Sequence, residues 1–361
     1  MDPTFVIAGR LHRDYLLPSE GRPLIDVPGG NLLYAAAGLG VWHRVPSGNR
    51  DYRAETGIPG PRAGTLTSSD RGPGLLARVG EEYPRDWLRS FEKRSWDTRG
   101  IHILAEALDL RYFQATLPDQ TVQRTNPVAH FARLGLTFPK SLLGYQPPAA
   151  PTGNRKTPHP ASSRPTDIPP DYLFARAVHI CPLDYLTGSR LTSAFREASV
   201  TTLTLDPSAD YMTVATLEDI RILLHGLTAF LPSEEELRAL FWGRTDDLWQ
   251  MAEALGDCCC EFIIVKRGAR GQMLYDTVSK KRWEIPAYPS RLVDATGAGD
   301  SFCGGFLAGY QQTYEPLRGV LYGSVSASLT IEGCGAFHAL EALPGLAQAR
   351  LDSLAGIVRQ V

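Results

Sequence analysis

Short apolar runs rich in β-branched residues alternate along the chain with longer amphipathic stretches. This alternation is typical of βαβ units, so it predicts an α/β fold in which a mostly parallel central sheet carries helices on both faces. The predicted strands are Phe5 to Ala8, Leu75 to Val79, Val178 to Cys181, Thr201 to Leu205 and Phe262 to Val265.

Four segments depart from this alternation. Residues 11–28 and 100–117 have strand-like patterning and charges, and they predict a small accessory sheet that is either a lid over an active site or a plain surface hairpin. Residues 46–74 and 146–170 are rich in glycine or proline and poor in large apolar side chains, so they predict mobile insertions. We expect residues 1–361 to form a single large domain that includes these segments.

The composition excludes several kinds of partner. A formal net charge of -2 gives no basic field for nucleic acid or an anionic membrane, so a small molecule is the expected partner. The N-terminus lacks a signal-peptide pattern and no apolar run approaches about 18 residues, which predicts a cytoplasmic protein. The six cysteines show no paired CxxC spacing, so we expect reduced thiols rather than disulfides or a zinc site.

The run Asp294–Asp300 carries the clearest chemistry. It lies between a predicted strand at 283–287 and a helical pattern that follows it. The glycines of this run let the backbone adopt positive φ angles and let an anion approach closely. We therefore predict that the amides of Gly297, Ala298 and Gly299 form an anion hole, supported by the positive end of the helix. Such a site suits a phosphoryl group in transfer.

Asp300 stands at the start of the predicted helix, beside this anion hole. A carboxylate there can accept the proton of an attacking hydroxyl while the amides hold the transferred group, which makes Asp300 the candidate catalytic base. The alternative role of Asp300 is to cap the helix N-terminus. The glycine spacing fits neither a GxGxxG dinucleotide motif nor a P-loop, so both of these phosphate motifs lose support.

The segment Asp294–Phe302, which reads DATGAGDSF, resembles the C-terminal signature of the PfkB, or ribokinase-like, carbohydrate kinase family. The stretch from Pro28 to Gly40 is similar to the N-terminal signature of that family. The resemblance runs from about residue 5 to about residue 340, apart from the two predicted insertions. It implies a three-layer α/β/α sandwich with a small β lid, and a kinase that uses ATP and Mg²⁺.

The resemblance also implies roles for individual residues. By this resemblance Asp300 is the catalytic base, and the amides of residues 297–299 form the anion hole. The implied substrate contacts are Asp14, Gly30 and Asn31. The implied nucleotide contacts are Lys266, Gly268, Gly271, Thr296 and Gly335.

The sequence departs from the family pattern in two places that matter for function. The Asn-x-x-Glu motif, which helps to hold magnesium through water, falls at Ser233 to Glu236, so serine replaces asparagine while Glu236 is kept. Tyr34 stands where many members have asparagine, which changes the shape and the hydrogen-bonding groups of the substrate pocket. These departures indicate a divergent branch whose substrate specificity is not carried over from the family.

We therefore expect a phosphotransferase that moves the γ-phosphoryl group of ATP to a hydroxyl of a sugar or a sugar-like small molecule. Two alternatives stay open, namely a catalytically weak or inactive ribokinase-like binding or regulatory protein, and a nucleoside kinase. An NAD-dependent oxidoreductase is disfavoured because the residues after the first strand lack a glycine-rich turn. The predicted lid is also a candidate surface for a homodimer.

Overall fold

The structure is a computed structural model that describes residues 3–43, 72–147, 157–198 and 200–361. The strands are β1 (Phe5–Ala8), β2 (His12–Leu17), β3 (Leu24–Gly29), β4 (Gly74–Val79), β5 (Ile101–Ile103), β6 (Arg111–Thr116), β7 (Val122–Gln123), β8 (Ala177–Ile180), β9 (Thr202–Leu205), β10 (Ala229–Phe230), β11 (Phe262–Lys266), β12 (Gln272–Asp276), β13 (Arg282–Ile285) and β14 (Arg359–Gln360). The helices are α1 (Asn31–Gly40), α2 (Arg85–Glu92), α3 (Pro127–Arg133), α4 (Tyr185–Glu197), α5 (Leu217–Leu224), α6 (Glu234–Leu240), α7 (Leu248–Gly256), α8 (Ala298–Thr313), α9 (Pro316–Thr330) and α10 (Leu346–Ala355).

A ten-stranded sheet forms the centre of the described residues, in the order β14-β13-β12-β11-β10-β9-β8-β1-β4-β5. The strands from β5 to β11 pair in parallel, and β12 to β14 extend the sheet with antiparallel pairs. Strand β1 lies between β4 and β8, so the strand order reverses on its two sides. Ligands of open α/β sheets bind beyond the carboxyl ends of the strands at such a reversal. This topology predicts a ligand site beyond the carboxyl end of β1.

Helices cover both faces of the central sheet. Val6 and Ala8 of β1 belong to a core formed with helices α4 to α7, whereas Phe5 and Ile7 face a core formed with α1 and α8. This alternation is the period of two that a strand buried on both faces requires. The predicted α/β sandwich is confirmed. No helix within the described ranges is long and apolar enough to cross a membrane.

A second sheet of four strands, the lid sheet, has the order β3-β2-β6-β7. Strands β2 and β3 pair in an antiparallel manner with an irregularity between Asp14 and Tyr15, while β2 and β6 pair in parallel. The prediction for residues 100–117 is only partly right, because Ile101–Ile103 pairs with β4 at the edge of the central sheet. Strand-like alternation does not identify the partner strand, and the buried Ile101 finds its partner in the main core.

The structure describes only parts of the two predicted insertions. Residues 44–71 and 148–156 lie outside the described residues, and they contain most of the first insertion and part of the second. The described part of the second, residues 157–170, is packed rather than loose. Arg78 donates to both carboxylate oxygens of Asp167 at 2.6 and 2.8 Å, and both side chains are largely buried. A paired charge anchors this segment although it lacks large apolar side chains.

Candidate active site

A cavity of about 330 Å³ lies between the lid sheet and the start of α8. Strand β2 begins shortly after β1 ends, so the lid sheet lies near the carboxyl end of β1, where the strand order reverses. The lid contributes His12, Asp14, Tyr112, Gln114 and Arg124. The opposite wall includes Gly30, Asn31, Tyr34, Thr296, Gly297 and Asp300. Residues predicted from both family signatures therefore line one cavity.

The segment Asp294–Asp300, named the catalytic loop for its predicted role, is held mainly by hydrogen bonds of its own first residue. Asp294 is buried, and its Oδ1 accepts hydrogen bonds from the amide of Thr296 at 3.0 Å and from its hydroxyl at 2.7 Å. The backbone amide of Asp294 donates to the carbonyl of Ile331 at 3.3 Å, and Cys334 Sγ donates to Asp294 Oδ2 at 3.2 Å. These bonds anchor the loop to the turn that follows α9.

Gly297 is the N-cap residue of α8 and has a φ angle of 73°. This left-handed conformation is strained for a residue with a side chain. A Cβ built on Gly297 would also overlap the ring of the buried Tyr34, so that ring packs directly beneath the loop. Burial raises the pKa of Tyr34 well above its ordinary value, and the acidic groups Asp14 and Asp294 raise it further. The departure noted at position 34 is therefore part of the floor of the site.

Asp300 is the third residue of α8 and lines the cavity. It does not cap the helix, because Gly297 occupies the N-cap position and no side chain bonds there. Burial raises the pKa of Asp300 to about 6, while the nearby Lys266 lowers it and Glu236 raises it. A carboxyl group with such a pKa is largely ionised at neutral pH and still basic enough to accept a proton.

The predicted anion hole comprises the amides of Gly297, Ala298 and Gly299, in the first turn of α8. Amides in the first turn of a helix have no carbonyl partner four residues earlier, and they lie at the positive end of the helix dipole. The amide of Ala298 already donates to the carbonyl of Ala295 at 3.2 Å. Ala298 is therefore the least available of the three donors in this arrangement of the loop.

Lys266, at the end of β11, is paired with Asp206, which follows β9. Lys266 Nζ lies beside the catalytic loop, since a Cβ built on Gly299 would be 3.5 Å from it. Cys303 Sγ lies 3.4 Å from Asp206 Oδ2 and 3.8 Å from Lys266 Nζ. Burial raises the pKa of Asp206 to about 6, and the ammonium of Lys266 opposes this rise. The structure thus brings a buried cation next to the predicted anion hole.

The side chain of Glu236 is hydrogen-bonded to Ser233, the N-cap residue of the same helix. Its Oε2 accepts hydrogen bonds from the amide of Ser233 at 2.7 Å and the hydroxyl of Ser233 at 2.8 Å, and Ser233 caps α6 in return. This arrangement is a capping box. Burial raises the pKa of Glu236 to about 7, and repulsion from Asp206 adds to the rise. Serine at position 233 therefore stabilises the helix start that carries Glu236.

The carboxyl groups of Asp206, Glu236 and Asp300 each have a pKa that is raised mainly by burial and in part by repulsion from one another, and Lys266 lowers the pKa of all three. A divalent cation nearby relieves such repulsion, and Mg²⁺ keeps most of its water ligands in nucleotide sites. No group of three or more His, Cys, Asp or Glu side chains in the described part of the chain is arranged to hold a metal ion directly. The acidic groups near Lys266 are thus of a kind that suits a divalent cation held through water.

Asp14 lies on β2 and is buried at the cavity wall. Burial raises the pKa of Asp14 to about 8, and repulsion from Asp294 adds to the rise, while a hydrogen bond from the amide of Gly30 lowers it. A Cβ on Gly29 would overlap the Asp14 carboxylate, so the glycine leaves the space that this side chain fills. Asp14 Oδ1 has no hydrogen-bond partner among the described residues.

Asn31 is the first residue of α1 and also lines the cavity. Its Oδ1 accepts a hydrogen bond from the amide of Arg10 at 2.7 Å, and its Nδ2 donates to the carbonyl of Pro182 at 2.8 Å. Asn31 therefore ties the loops after β1 and β8 together. One lone pair and one N–H of its amide stay available for a ligand.

The predicted nucleotide contacts do not all lie in the same part of the structure. Thr296 lines the cavity next to the lid instead of a separate nucleotide side. Gly268 and Gly271 bound the turn after β11 and have positive φ angles of 56° and 80°. Gly335 also has a positive φ, and a Cβ there would overlap Leu24 of the lid sheet. The nucleotide roles of these glycines stay predictions.

Several lid residues of the cavity were not predicted from the sequence, namely His12, Tyr112, Gln114, Val122 and Arg124. His12 and Tyr112 stack with ring centroids 5.4 Å apart, and burial lowers the pKa of His12 to about 4, so its ring is neutral at physiological pH. Arg124 Nε donates to the hydroxyl of Tyr112 at 2.7 Å, and Gln114 joins the same network. Alternation could have identified His12, which shares a strand face with Asp14. The other four depend on how β6 and β7 pair with the lid.

An open, mostly parallel sheet with a lid and a Gly-rich loop at a helix start is the architecture that the resemblance to sugar kinases predicts. Residues 170–343 match the family described as pfkB family carbohydrate kinase. This segment of the chain is therefore similar to PfkB-family kinases, and the curated relatives that resemble the chain are kinases. A cytidine kinase from Thermococcus kodakarensis is 25% identical over 268 residues, which is 73% of this chain and 83% of that protein.

Solved structures agree with this fold. A nucleoside kinase from Burkholderia thailandensis in complex with inosine aligns with a TM-score of 0.64 and 16% identity, over 98% of this chain and 99% of that one. Ribokinase from Thermotoga maritima aligns with a TM-score of 0.60 and 14% identity, over 99% of this chain and 100% of that one. At this level of identity the structural similarity establishes the ribokinase-like fold and not the substrate.

Proposed function

We propose that the protein transfers the γ-phosphoryl group of ATP to a hydroxyl of a sugar or nucleoside, with Asp300 as the base. The observation that carries this proposal is the position of Asp14 and Asp300 on the walls of one cavity. Asp14 would bind hydroxyls of the acceptor, while Asp300 would take the proton of the hydroxyl that attacks. This arrangement fixes the acceptor next to the loop that would receive the phosphoryl group.

The remaining residues would complete the reaction as follows. The amides of residues 297–299 would stabilise charge on the phosphoryl oxygens, and Lys266 would add a positive charge beside them. Glu236 would hold Mg²⁺ through water, and when bound the ion neutralises the phosphates of the nucleotide. Asn31 and Gly30 would fix the acceptor from the α1 side.

A nucleoside is the acceptor that the lid favours. The stacked rings of His12 and Tyr112 line the cavity and offer an apolar face on which a nucleobase could stack. The cytidine kinase relative is consistent with this acceptor. A simple sugar has no flat ring to use that face, so Tyr112→Leu should raise KM for a nucleoside and leave KM for a sugar nearly unchanged.

The test is a thermal-shift titration with Mg-ATP followed by product detection over a panel of sugars and nucleosides. We expect stabilisation by Mg-ATP and a phosphorylated product from at least one acceptor. Nucleotide binding without any product would instead support the alternative of a ribokinase-like binding or regulatory protein. The homodimer through the lid stays a prediction, which sedimentation of the purified chain would test.

A further inference from the structure

Gln114 joins the lid sheet to the catalytic loop across the cavity. It lies on β6 and is only 4% exposed. Its Nε2 donates a hydrogen bond to the Thr296 hydroxyl, and its Oε1 accepts from the hydroxyl of Tyr112 at 2.9 Å and from Arg124 Nη2 at 3.3 Å. Both ends of the amide are therefore occupied, which fixes its orientation.

The Thr296 hydroxyl can take only one role toward the lid. Its single proton goes to Asp294 Oδ1 at 2.7 Å, so toward Gln114 it can only accept. The lid must therefore supply a donor, and the Gln114 amide does so. Thr296 immediately precedes Gly297, so this bond acts directly on the first residue of the predicted anion hole.

An ion pair at the surface also connects the lid to the chain just before the catalytic loop. Glu20, in the turn between β2 and β3, pairs with Arg291, but both side chains are largely exposed. Exposed pairs of this kind contribute about 0–1 kcal/mol. The bond between Gln114 and Thr296 is partly buried and joins side chains that are each held by further hydrogen bonds, so it holds the loop more firmly than the surface pair does.

We propose that Gln114 is a positioning residue that aligns the anion-hole loop through Thr296 when the lid covers the cavity. This inference rests on the proposed function, because it assigns to Gln114 a role in phosphoryl transfer. The loop has its own anchor at Asp294, so loss of the lid bond leaves it folded but less accurately placed. A misplacement of about 1 Å can cost roughly 100-fold in rate.

The variant Gln114→Met keeps the length of the side chain and removes its hydrogen bonds. We expect kcat to fall about 10–100-fold, in line with the cost of a misplaced catalytic group. The acceptor KM should change by less than about threefold and the Kd for ATP should stay the same, because the loop acts on the transition state. The control Glu20→Gln should leave all of these values unchanged.

Variants of Thr296 test whether Gln114 acts through its hydrogen bond to this residue. Thr296→Ser keeps the hydroxyl and should lose less kcat than Thr296→Val, which should lose at least as much as Gln114→Met. The double variant Gln114→Met/Thr296→Val should be no slower than Thr296→Val alone, since both changes remove the same bond. Fully multiplicative losses would show that the two residues act separately, and would overturn the proposal.

Hydrogen exchange gives a readout that does not need turnover. With Mg-ATP bound and no acceptor present, Gln114→Met should speed amide exchange in residues 295–300, and Glu20→Gln should not. A raised acceptor KM at unchanged kcat, or unchanged exchange in this loop, would overturn the proposal. A wild-type protein that turns over no acceptor would contradict the proposed function instead, and the exchange experiment would still decide whether the bond holds the loop.

Discussion

The catalytic loop and the lid sheet face each other across one cavity, and the chain builds them in opposite ways. The loop is a run of seven residues whose geometry depends on Asp294 and on the start of α8. The lid sheet combines strands at 12–17 and 24–29 with strands at 111–116 and 122–123, roughly a hundred residues later. The proposed chemistry is therefore encoded locally, whereas the surface that we propose selects the acceptor is assembled from distant segments.

The largest effect should come from the base in the local element. Asp300→Asn keeps the size of the side chain and removes its basicity, so we expect kcat to fall about 10²–10⁴-fold. Steady-state kinetics with the best acceptor would measure this loss, and the Kd for ATP should change little. Retention of near-normal turnover would mean that another group accepts the proton.

The pH dependence of the wild type provides a second measure of the same base. The pKa of Asp300 is raised to about 6, mainly by burial. Its carboxylate is the active form, so kcat/KM should fall as the pH is lowered through about 6, where the group becomes protonated. In the Asp300→Asn variant the residual activity should lack this dependence. A pH profile that matches the wild type would mean that the fall in kcat/KM at low pH comes from the protonation of a different group.

A change in the loop backbone should have the next largest effect. Gly297→Ala places a side chain at a φ of 73° and against the ring of Tyr34, so the loop has to move. We expect kcat to fall at least about tenfold, together with a loss of about 1–3 kcal/mol in the free energy of unfolding. Urea denaturation and steady-state kinetics on the same preparation would measure both.

Gly345→Ala is the matched control for this change. Gly345 is also a helix N-cap, with a φ of 82°, but nothing lies within 4 Å of a Cβ built there. It should lose about 1–2 kcal/mol of stability from backbone strain alone and keep the activity of the wild type. Equal kinetic losses in the two variants would mean that the packing of Tyr34 beneath Gly297 has no part in catalysis.

The contrast between loop and lid also explains what the sequence could predict. The central strands, the α/β class and the loop at 294–300 follow from local patterns, and the structure contains each of them. Ser233 to Glu236 reads as a capping box as well as a metal motif, and the helix-cap bonds are present. Local bonds of this kind connect residues a few positions apart, so the sequence shows both partners together.

The lid residues could not be predicted because their positions depend on long-range pairing. Tyr112 and Gln114 face the cavity only because β6 pairs with β2 in a register that places Asp14 opposite Tyr112. A slip of one residue would turn both side chains to the other face. The packing of residues 157–170 depends in the same way on a partner far along the chain, namely Arg78.

The smallest of the expected effects belongs to the lid and changes binding rather than chemistry. Asp14→Asn removes the carboxyl group that faces the acceptor, and we expect the acceptor KM to rise about tenfold, as for the loss of one hydrogen bond of about 0.5–1.5 kcal/mol. The kcat at saturating acceptor should stay within about threefold of the wild type, since Asp300 and the loop are intact. Asp26→Asn, on β3 of the same lid, is the control and should leave KM unchanged.

The same substitution should alter how stability depends on pH. Folding raises the pKa of Asp14 from 3.8 to about 8, so the folded protein holds a proton that the unfolded chain releases. The stability contributed by this group is fully present below a pH of about 4 and is lost as the pH rises through about 8. Asparagine does not ionise, so the Asp14→Asn variant should gain stability relative to the wild type between pH 6 and pH 8 in urea denaturation. A constant difference across this range would show that Asp14 is ionised in the folded protein, and that the acceptor meets a carboxylate which is already charged.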